Sequence, residues 1–235
     1  MTNYGQSRRV VLPQMEMKCP RCVQKIHRAA DACPHCGFTL ADAEAHFGGV
    51  ELNLRCLADA AGLLRRGERE RVEAAMERLS RRFPQLFVAI YTGAFDGAAE
   101  LRQFGFWLLN RATFAELPPE QSNAAGILIT LDPATKMAGV TYGYLLDPYL
   151  TETDTFDCLW RAHSHWLEGR YADGMIKALE QFACVLRKRS RQARRRPASF
   201  QRKLQPPTHG GRTPHPPDGG MHPVACPPPS AEPPP

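Results

Sequence analysis

The sequence contains 235 residues, of which 43% are hydrophobic, so most of its length can contribute to a packed core. Its formal net charge is +6, and the basic excess lies at the C-terminal end: residues 187–235 carry ten Lys or Arg against two Asp or Glu. The first 186 residues therefore carry 20 basic and 22 acidic side chains. A nearly neutral folded part argues against a basic nucleic-acid-binding domain.

The N-terminal residues and the apolar runs predict a protein without a membrane span. The first nine residues contain no apolar stretch of the kind found in secretory signals. The longest apolar runs, residues 86–91 and 124–131, fall well short of the roughly 18 residues that a spanning helix requires. We therefore expect a soluble, cytoplasmic protein.

Changes in composition divide the chain into five segments. The predicted segments are a flexible lead-in at 1–17, a cysteine-rich unit at 18–40, a linker at 41–54, an α/β domain at 55–188 and a basic, Pro-rich tail at 189–235. Thirteen of the 21 prolines fall in residues 187–235. Such a composition buries too little apolar surface to offset the entropy of ordering, so the tail is predicted to be disordered.

Four cysteines near the N-terminus form two Cys-x-x-Cys pairs. The pairs are Cys19 with Cys22 and Cys33 with Cys36, and ten residues separate them. Two such knuckles can present four thiolates to a tetrahedral Zn²⁺ ion, which would stabilise a unit too small for its own core. The spacing predicts a short zinc ribbon with a structural metal.

Other interpretations of these cysteines remain open. Disulfides require an oxidising compartment, and a redox role is weaker because neither pair follows a predicted strand. His35 could replace one thiolate. Gly37 suits a positive φ after the second knuckle, whereas Val23 occupies the matching place in the first.

The main segment alternates between helical and extended patterns. Apolar residues at helical spacing predict helices near 68–83, 98–114, 156–167 and 174–186, and short apolar runs predict strands at 86–91, 126–131 and 136–142. The connection between the last two strands is short, which predicts an antiparallel pair. This order predicts an α/β fold in which helices sandwich a small mixed sheet.

An ordered set of short motifs in residues 55–186 resembles the TPM domain family. The matching motifs are Leu57-Ala-Asp-Ala-Ala-Gly62, Leu86–Thr92, Phe104-Gly-Phe-Trp107, residues 125–131 with Val140-Thr-Tyr-Gly143, Leu150-Thr-Glu-Thr-Asp154 and Arg170-Tyr-Ala-Asp-Gly174. The resemblance implies an α/β sandwich, calcium binding in several members and a phosphatase activity proposed for plant members in photosystem repair. Other members are linked to membrane-protein assembly.

The resemblance also implies that Asp59 and Asp154 lie close together and bind a divalent cation such as Ca²⁺. Asp132, Glu152 and Asp157 are candidates for further oxygen ligands. The competing interpretation is structural. Thr151 with Asp154 fits a helix capping box, and Asp132-Pro133 is typical of a turn.

These patterns support three hypotheses for function. The first is an interaction, assembly or repair accessory module that binds a protein partner and uses the ribbon for docking. The second is a divalent-cation-dependent phosphatase with Asp59 and Asp154 as metal ligands. The third is weak electrostatic binding of nucleic acid or an anionic surface by the ribbon and the basic tail.

Overall fold

The computed structural model of the chain describes residues 16–27, 30–49, 52–118 and 123–197. Within these ranges the chain forms eight β-strands and five α-helices. The strands are β1 Glu16–Lys18, β2 Lys25–His27, β3 Leu52–Leu54, β4 Leu57–Asp59, β5 Phe87–Thr92, β6 Ala112–Phe114, β7 Gly126–Leu131 and β8 Ala138–Tyr142. The helices are α1 Leu40–Phe47, α2 Arg66–Arg82, α3 Ala98–Arg111, α4 Glu152–Leu167 and α5 Tyr171–Arg195.

The centre of the fold is a four-stranded mixed sheet in the order β4-β5-β7-β8. Strands β4, β5 and β7 are parallel, and β8 pairs antiparallel with β7. The predicted α/β class, with a mixed sheet covered by helices, is confirmed. The predicted antiparallel pair at 126–131 and 136–142 is confirmed as well, since Ile127 pairs with Tyr142 and Leu131 with Ala138.

Side chains alternate between the two faces of this sheet, as the strand period requires. On β7, Ile127 and Ile129 join one apolar core with residues of α2, α4 and α5, while Leu128 joins a second core with α3 and α1. Buried strands covered on both faces read as continuous apolar runs, which is how β5 and β7 appear in the sequence.

The cysteine-rich unit packs onto the second core. Cys19, Ile26, Cys33 and Phe38 are buried and share a cluster with residues of α3, β5 and β7. All described residues fall within one compact unit. The domain boundaries in this part of the chain stay a prediction.

Several short elements were missed by the sequence patterns. The segment predicted as a linker contains α1 and β3, and β3 pairs in parallel with β6, which follows α3 directly. Strand β4 was missed too. Each of these strands has only three residues. That length is too short to display a period of two.

The basic run after residue 186 belongs to a helix. Helix α5 continues to Arg195, so residues 189–195 are helical and not part of a disordered tail. The remainder of the predicted tail from residue 198 onward, and the lead-in up to residue 15, lie outside the described residues. No helix in the described part of the chain has the length and apolarity needed to cross a membrane.

Helices α4 and α5 meet at a glycine. A Cβ atom at Gly174 would stand 2.2 Å from Nε1 of Trp166, and Trp166 is fully buried. The indole has no free space to retreat into, because protein interiors are close-packed. The small residue in Arg170-Tyr-Ala-Asp-Gly174 is therefore required by this helix contact.

We expect Gly174→Ala to destabilise the fold by about 1–3 kcal/mol, the usual cost of overpacking a core. The matched control is Gly67→Ala on α2, where a Cβ would meet no atom within 4 Å. That change should be neutral or stabilising by up to about 1 kcal/mol, because alanine is the better helix former. Urea unfolding of both variants checks this, and equal stabilities would contradict the predicted contact.

Candidate metal centre

The four predicted ligands converge on one point. The Sγ atoms of Cys19, Cys22, Cys33 and Cys36 all lie within 4.8 Å of one another. The sulfurs of Cys19 and Cys36 are 3.7 Å apart, as are those of Cys22 and Cys33. Four sulfurs around zinc at about 2.3 Å would be separated by about 3.8 Å. The cluster therefore has the dimensions of a tetrahedral thiolate site, and disulfides, with sulfurs about 2.05 Å apart, are not formed.

The two knuckles share one backbone arrangement. In each, the residue after the second cysteine donates its N–H to the carbonyl of the first cysteine: Val23 to Cys19 and Gly37 to Cys33, at 2.9 and 2.8 Å. Both residues have positive φ, +64° for Val23 and +71° for Gly37. Glycine adopts this conformation without strain, whereas a β-branched residue does so at a cost.

The electrostatics of the cluster favour a bound cation. Burial opposes ionisation of Cys33, but the N–H groups of His35 and Cys36 and the neighbouring thiols lower its pKa to about 6. The N–H of Phe38 favours the Cys36 thiolate, yet burial and the three other sulfurs raise the pKa of Cys36 to about 12. One thiolate thus suppresses ionisation of the next, and a divalent cation would remove that conflict.

Contacts with the α/β domain hold the cysteine-rich unit in place. Lys18 forms an ion pair with Glu152 at the start of α4, and Nε of Arg102 on α3 donates to the carbonyl of Pro20 at 3.4 Å. The rings of Phe38 and Phe106 meet edge to face at 6.1 Å. The four cysteines are therefore continuous with the core that covers the second face of the sheet.

The carboxylate of Asp59 stabilises the loop after β4 by accepting hydrogen bonds. Its side chain is 1% exposed and accepts hydrogen bonds from Oγ1 of Thr92 at 2.6 Å and from the N–H groups of Leu63 and Leu64 at 3.0 Å. A guanidinium nitrogen of Arg69 lies 3.5 Å away. Burial alone would raise the pKa of Asp59, but these donors and the charge of Arg69 lower it.

The structure does not bring Asp154 to Asp59, which corrects the proximity implied by the resemblance. Asp59 lies beside Thr92, and Thr92 pairs with Leu131 at the carboxyl end of β7. Arg71, two residues after Arg69 on α2, binds Asp173 at the start of α5, whereas Asp154 binds Arg189 near the end of α5. With a rise of about 1.5 Å per residue, these two points of α5 are about 24 Å apart, so the two aspartates are separated.

The other candidate oxygen ligands have separate surroundings. Asp154 forms the predicted capping box with Thr151 and accepts from Arg189 at 2.9 Å. Buried Asp132 accepts from the N–H of Ala134 and the hydroxyl of Thr135 in the turn after β7. Glu152 pairs with Lys18, and Asp157 is exposed. Among the described residues, the four cysteines are the one group of three or more close metal-ligating side chains.

Sequence reasoning did not single out the strongest surface feature. Phe156 and Trp160 on α4 are 61% and 66% exposed, although the apolar spacing predicted only a helix near 156–167. Cys184 is exposed on α5. The helical spacing in the sequence could have revealed this surface, because Phe156, Trp160 and Leu167 recur on a side of α4 different from that of Cys158 and Ala162.

Comparison with known proteins identifies similar structures only. No family model matches the chain, and no curated protein matches it. The N-terminal domain of a protein from P. gingivalis is similar over 58% of this chain and 84% of its own, with 22% identity and a TM-score of 0.44. The N-terminal domain of cg2496 protein from Corynebacterium glutamicum is similar over 58% of this chain and 82% of its own, with 14% identity and a TM-score of 0.42.

The strained Val23 leads to a prediction about metal affinity. Val23→Gly should tighten zinc binding roughly fivefold, because relieving a positive φ at a β-branched residue recovers about 1 kcal/mol. The reciprocal control is Gly37→Val, which places the same side chain at φ +71°, where a Cβ atom would meet nothing within 4 Å, and it should weaken binding. Competition with a chromophoric chelator measures both affinities. Equal affinities in the two variants would contradict this account.

The hydrogen bonds accepted by the Asp59 carboxylate lead us to predict that the free energy of unfolding depends on pH. Asp59→Asn should cost about 1.5–3 kcal/mol at neutral pH, the range for hydrogen bonds to a charged group. Because the folded pKa lies below the ordinary value of 3.8, this stabilisation is present above that value and is lost as pH falls through the folded pKa. Urea unfolding at descending pH should show the two proteins converging. Asp157→Asn, at an exposed position, is the control and should match the wild type throughout.

Proposed function

We propose that this chain is a zinc-stabilised accessory module in which a ribbon, closed by one structural Zn²⁺, is fixed to a TPM-like α/β domain that binds a protein partner in the cytoplasm. The observation that carries the proposal is the convergence of four cysteine sulfurs within 4.8 Å against the domain core. Four thiolates are the ligand set that selects zinc in a closed, structural site.

A structural role for the metal follows from its ligand number. Catalytic zinc sites keep one coordination position for water or substrate, whereas four protein thiolates fill the tetrahedron. Cys19, Cys22, Cys33 and Cys36 would therefore hold the ion and supply no reactive water. The ion would instead fix two short knuckles whose buried side chains, including Phe38, cover the second face of the sheet.

The surroundings of Asp59 and Asp132 favour a partner-binding role over metal-dependent phosphate hydrolysis. The oxygens of Asp59 and Asp132 accept hydrogen bonds from their own loops, so neither is poised as an open ligand. Two surface cavities, of about 310 and 510 Å³, are lined by basic, apolar and neutral polar residues without a carboxylate. A metal-dependent phosphatase would need convergent carboxylates beside an open coordination position. The accessory role is therefore the better-supported function.

The residues that carry the TPM resemblance act in folding. Asp59 braces its loop, Gly62 has φ +65°, and Thr151 with Asp154 caps α4. At Gly143 a Cβ atom would stand 2.2 Å from the carbonyl oxygen of Ala124. These motifs support the TPM-like fold in the proposal, and they do not depend on a phosphatase activity or on calcium.

The test is the metal content of the purified chain by mass spectrometry. We expect about one zinc per chain for the wild type and none for Cys19→Ser combined with Cys36→Ser. Cys184→Ser is the control, because Cys184 is exposed and distant in sequence from the cluster; it should keep the metal.

Hydrogen exchange should then locate the effect of zinc removal. Protection of β1, β2 and the segment from Cys33 to Phe38 should be lost, while buried β7 stays protected, because the metal stabilises the ribbon first. A wild-type chain without zinc would overturn the proposal. Zinc-dependent hydrolysis of a simple phosphomonoester, abolished by the same cysteine variant, would overturn the structural role.

A further inference from the structure

Helix α4 exposes a stripe of large apolar side chains. Phe156, Trp160 and Leu167 are 61%, 66% and 60% exposed. They recur at i, i+4 and i+11, so they lie on one side of the helix, with His163 at i+7 between them. Exposed apolar side chains gathered in one patch, rather than scattered singly, mark an interaction site.

The rings in this stripe stack on one another. Phe156 and Trp160 are nearly parallel, at 15° and 6.0 Å between centroids, and Trp160 and His163 are nearly parallel at 16° and 6.3 Å. The indole of Trp160 thus has a near-parallel ring on either side of it along the helix and is still 66% exposed.

A basic surface lies on the neighbouring helix α5. Arg187, Lys188, Arg191 and Arg195 line a shallow cavity of about 310 Å³ with Cys184 and Gln192. Their spacing places them on one side of the helix, opposite buried Phe182 and Leu186. Among the described residues, none of the four basic groups forms an ion pair with an acid.

The first part of the stripe, at Phe156, lies at the same end of the helix pair as the basic surface. Arg189 of α5 binds Asp154 of α4 at 2.9 Å, which sets the start of α4 beside the C-terminal half of α5. Both helices cover the same face of the sheet. Trp160 and Arg191 therefore lie on the outer side of one helical layer, with exposed Asp157 as an acidic group close to the stripe.

We propose that this outer layer of α4 and α5 binds the surface of an anionic lipid bilayer. Tryptophan, phenylalanine and leucine bury their apolar parts at the boundary between headgroups and acyl chains, and clustered Lys and Arg attract anionic headgroups. The clustered basic groups favour an anionic occupant, and the apolar stripe, which includes aliphatic Leu167, favours lipid acyl chains. The site lies on residues other than the zinc ligands and goes beyond the accessory role proposed above.

The three tryptophans provide a direct readout. Trp107 and Trp166 are 2% and 0% exposed, so Trp160 is the solvent-exposed fluorophore. Zinc-loaded full-length chain is titrated with vesicles of phosphatidylcholine containing phosphatidylserine. We expect a blue shift of the emission and quenching by lipids brominated in the upper acyl chain. Vesicles of phosphatidylcholine alone should give neither, and an equal response to both vesicle types would overturn the proposal.

Charge reversal tests the basic surface and leaves Trp160, the exposed fluorophore, in place. Arg187→Glu, Lys188→Glu and Arg191→Glu combined should weaken vesicle binding about 100-fold or more, since each basic residue near the surface contributes about 1 kcal/mol. Arg66→Glu, Arg78→Glu and Arg81→Glu on α2 change the net charge equally and should retain more of the binding. If the two triple variants lose binding equally, the effect is one of net charge and the site is wrong.

Truncation of the stripe completes the test. Phe156→Ala with Trp160→Ala should reduce cosedimentation with the vesicles at least tenfold while the circular dichroism spectrum stays unchanged. Unchanged cosedimentation would overturn the proposal. So would sedimentation velocity showing a wild-type dimer that these substitutions dissociate, because a second copy of the chain would then cover the stripe. Chelation of zinc does not remove the stripe or the basic surface. A failure of the lipid-binding proposal can therefore be distinguished from a failure of the zinc proposal.

Discussion

Strand β7 is buried along its whole length, and this constraint organises the rest of the molecule. A strand with two apolar faces needs cover on both sides. Helices α2, α4 and α5 cover one face, and α3 covers part of the other. The remaining cover comes from the cysteine-rich unit, which has no core of its own and would depend on a metal ion to hold its shape. Burial of the central strand is thus linked to the four cysteine sulfurs of the unit that packs on the second face of the sheet.

The motifs that resemble the TPM family are explained by local physical requirements. A carboxylate braces a loop, a glycine permits a positive φ, another allows two helices to approach, and a threonine with an aspartate caps a helix. Each requirement restricts one position to a few residue types. An ordered set of such positions can therefore specify a fold without specifying a reaction. This explains why the motif order identified the α/β architecture better than it identified a cation site.

The elements with long, clear periods were predictable from sequence, and the shorter ones were not. The runs that became β5, β7 and β8, and the apolar spacing of α2, needed only local pattern. Strands β3, β4 and β6 exist because partners distant in the sequence pair with them, so their three residues show no pattern of their own. The cysteine cluster was predictable because a metal imposes fixed spacing on its ligands. The separation of Asp59 from Asp154 was not, because it depends on α2 and the start of α4 packing against different ends of α5.

The contact between Arg102 and Pro20 joins residues 82 positions apart. During synthesis the four cysteines emerge from the ribosome well before α3 and β7, against which their unit packs. Metal capture needs only neighbouring residues, whereas docking must wait for the sheet. The ribbon would therefore exist first as a small metal complex with an uncovered apolar side, and would complete its burial as the last strands and helices fold beneath it. In this order of assembly, a bound ion would hold the ribbon in its folded shape until the core beneath it has formed.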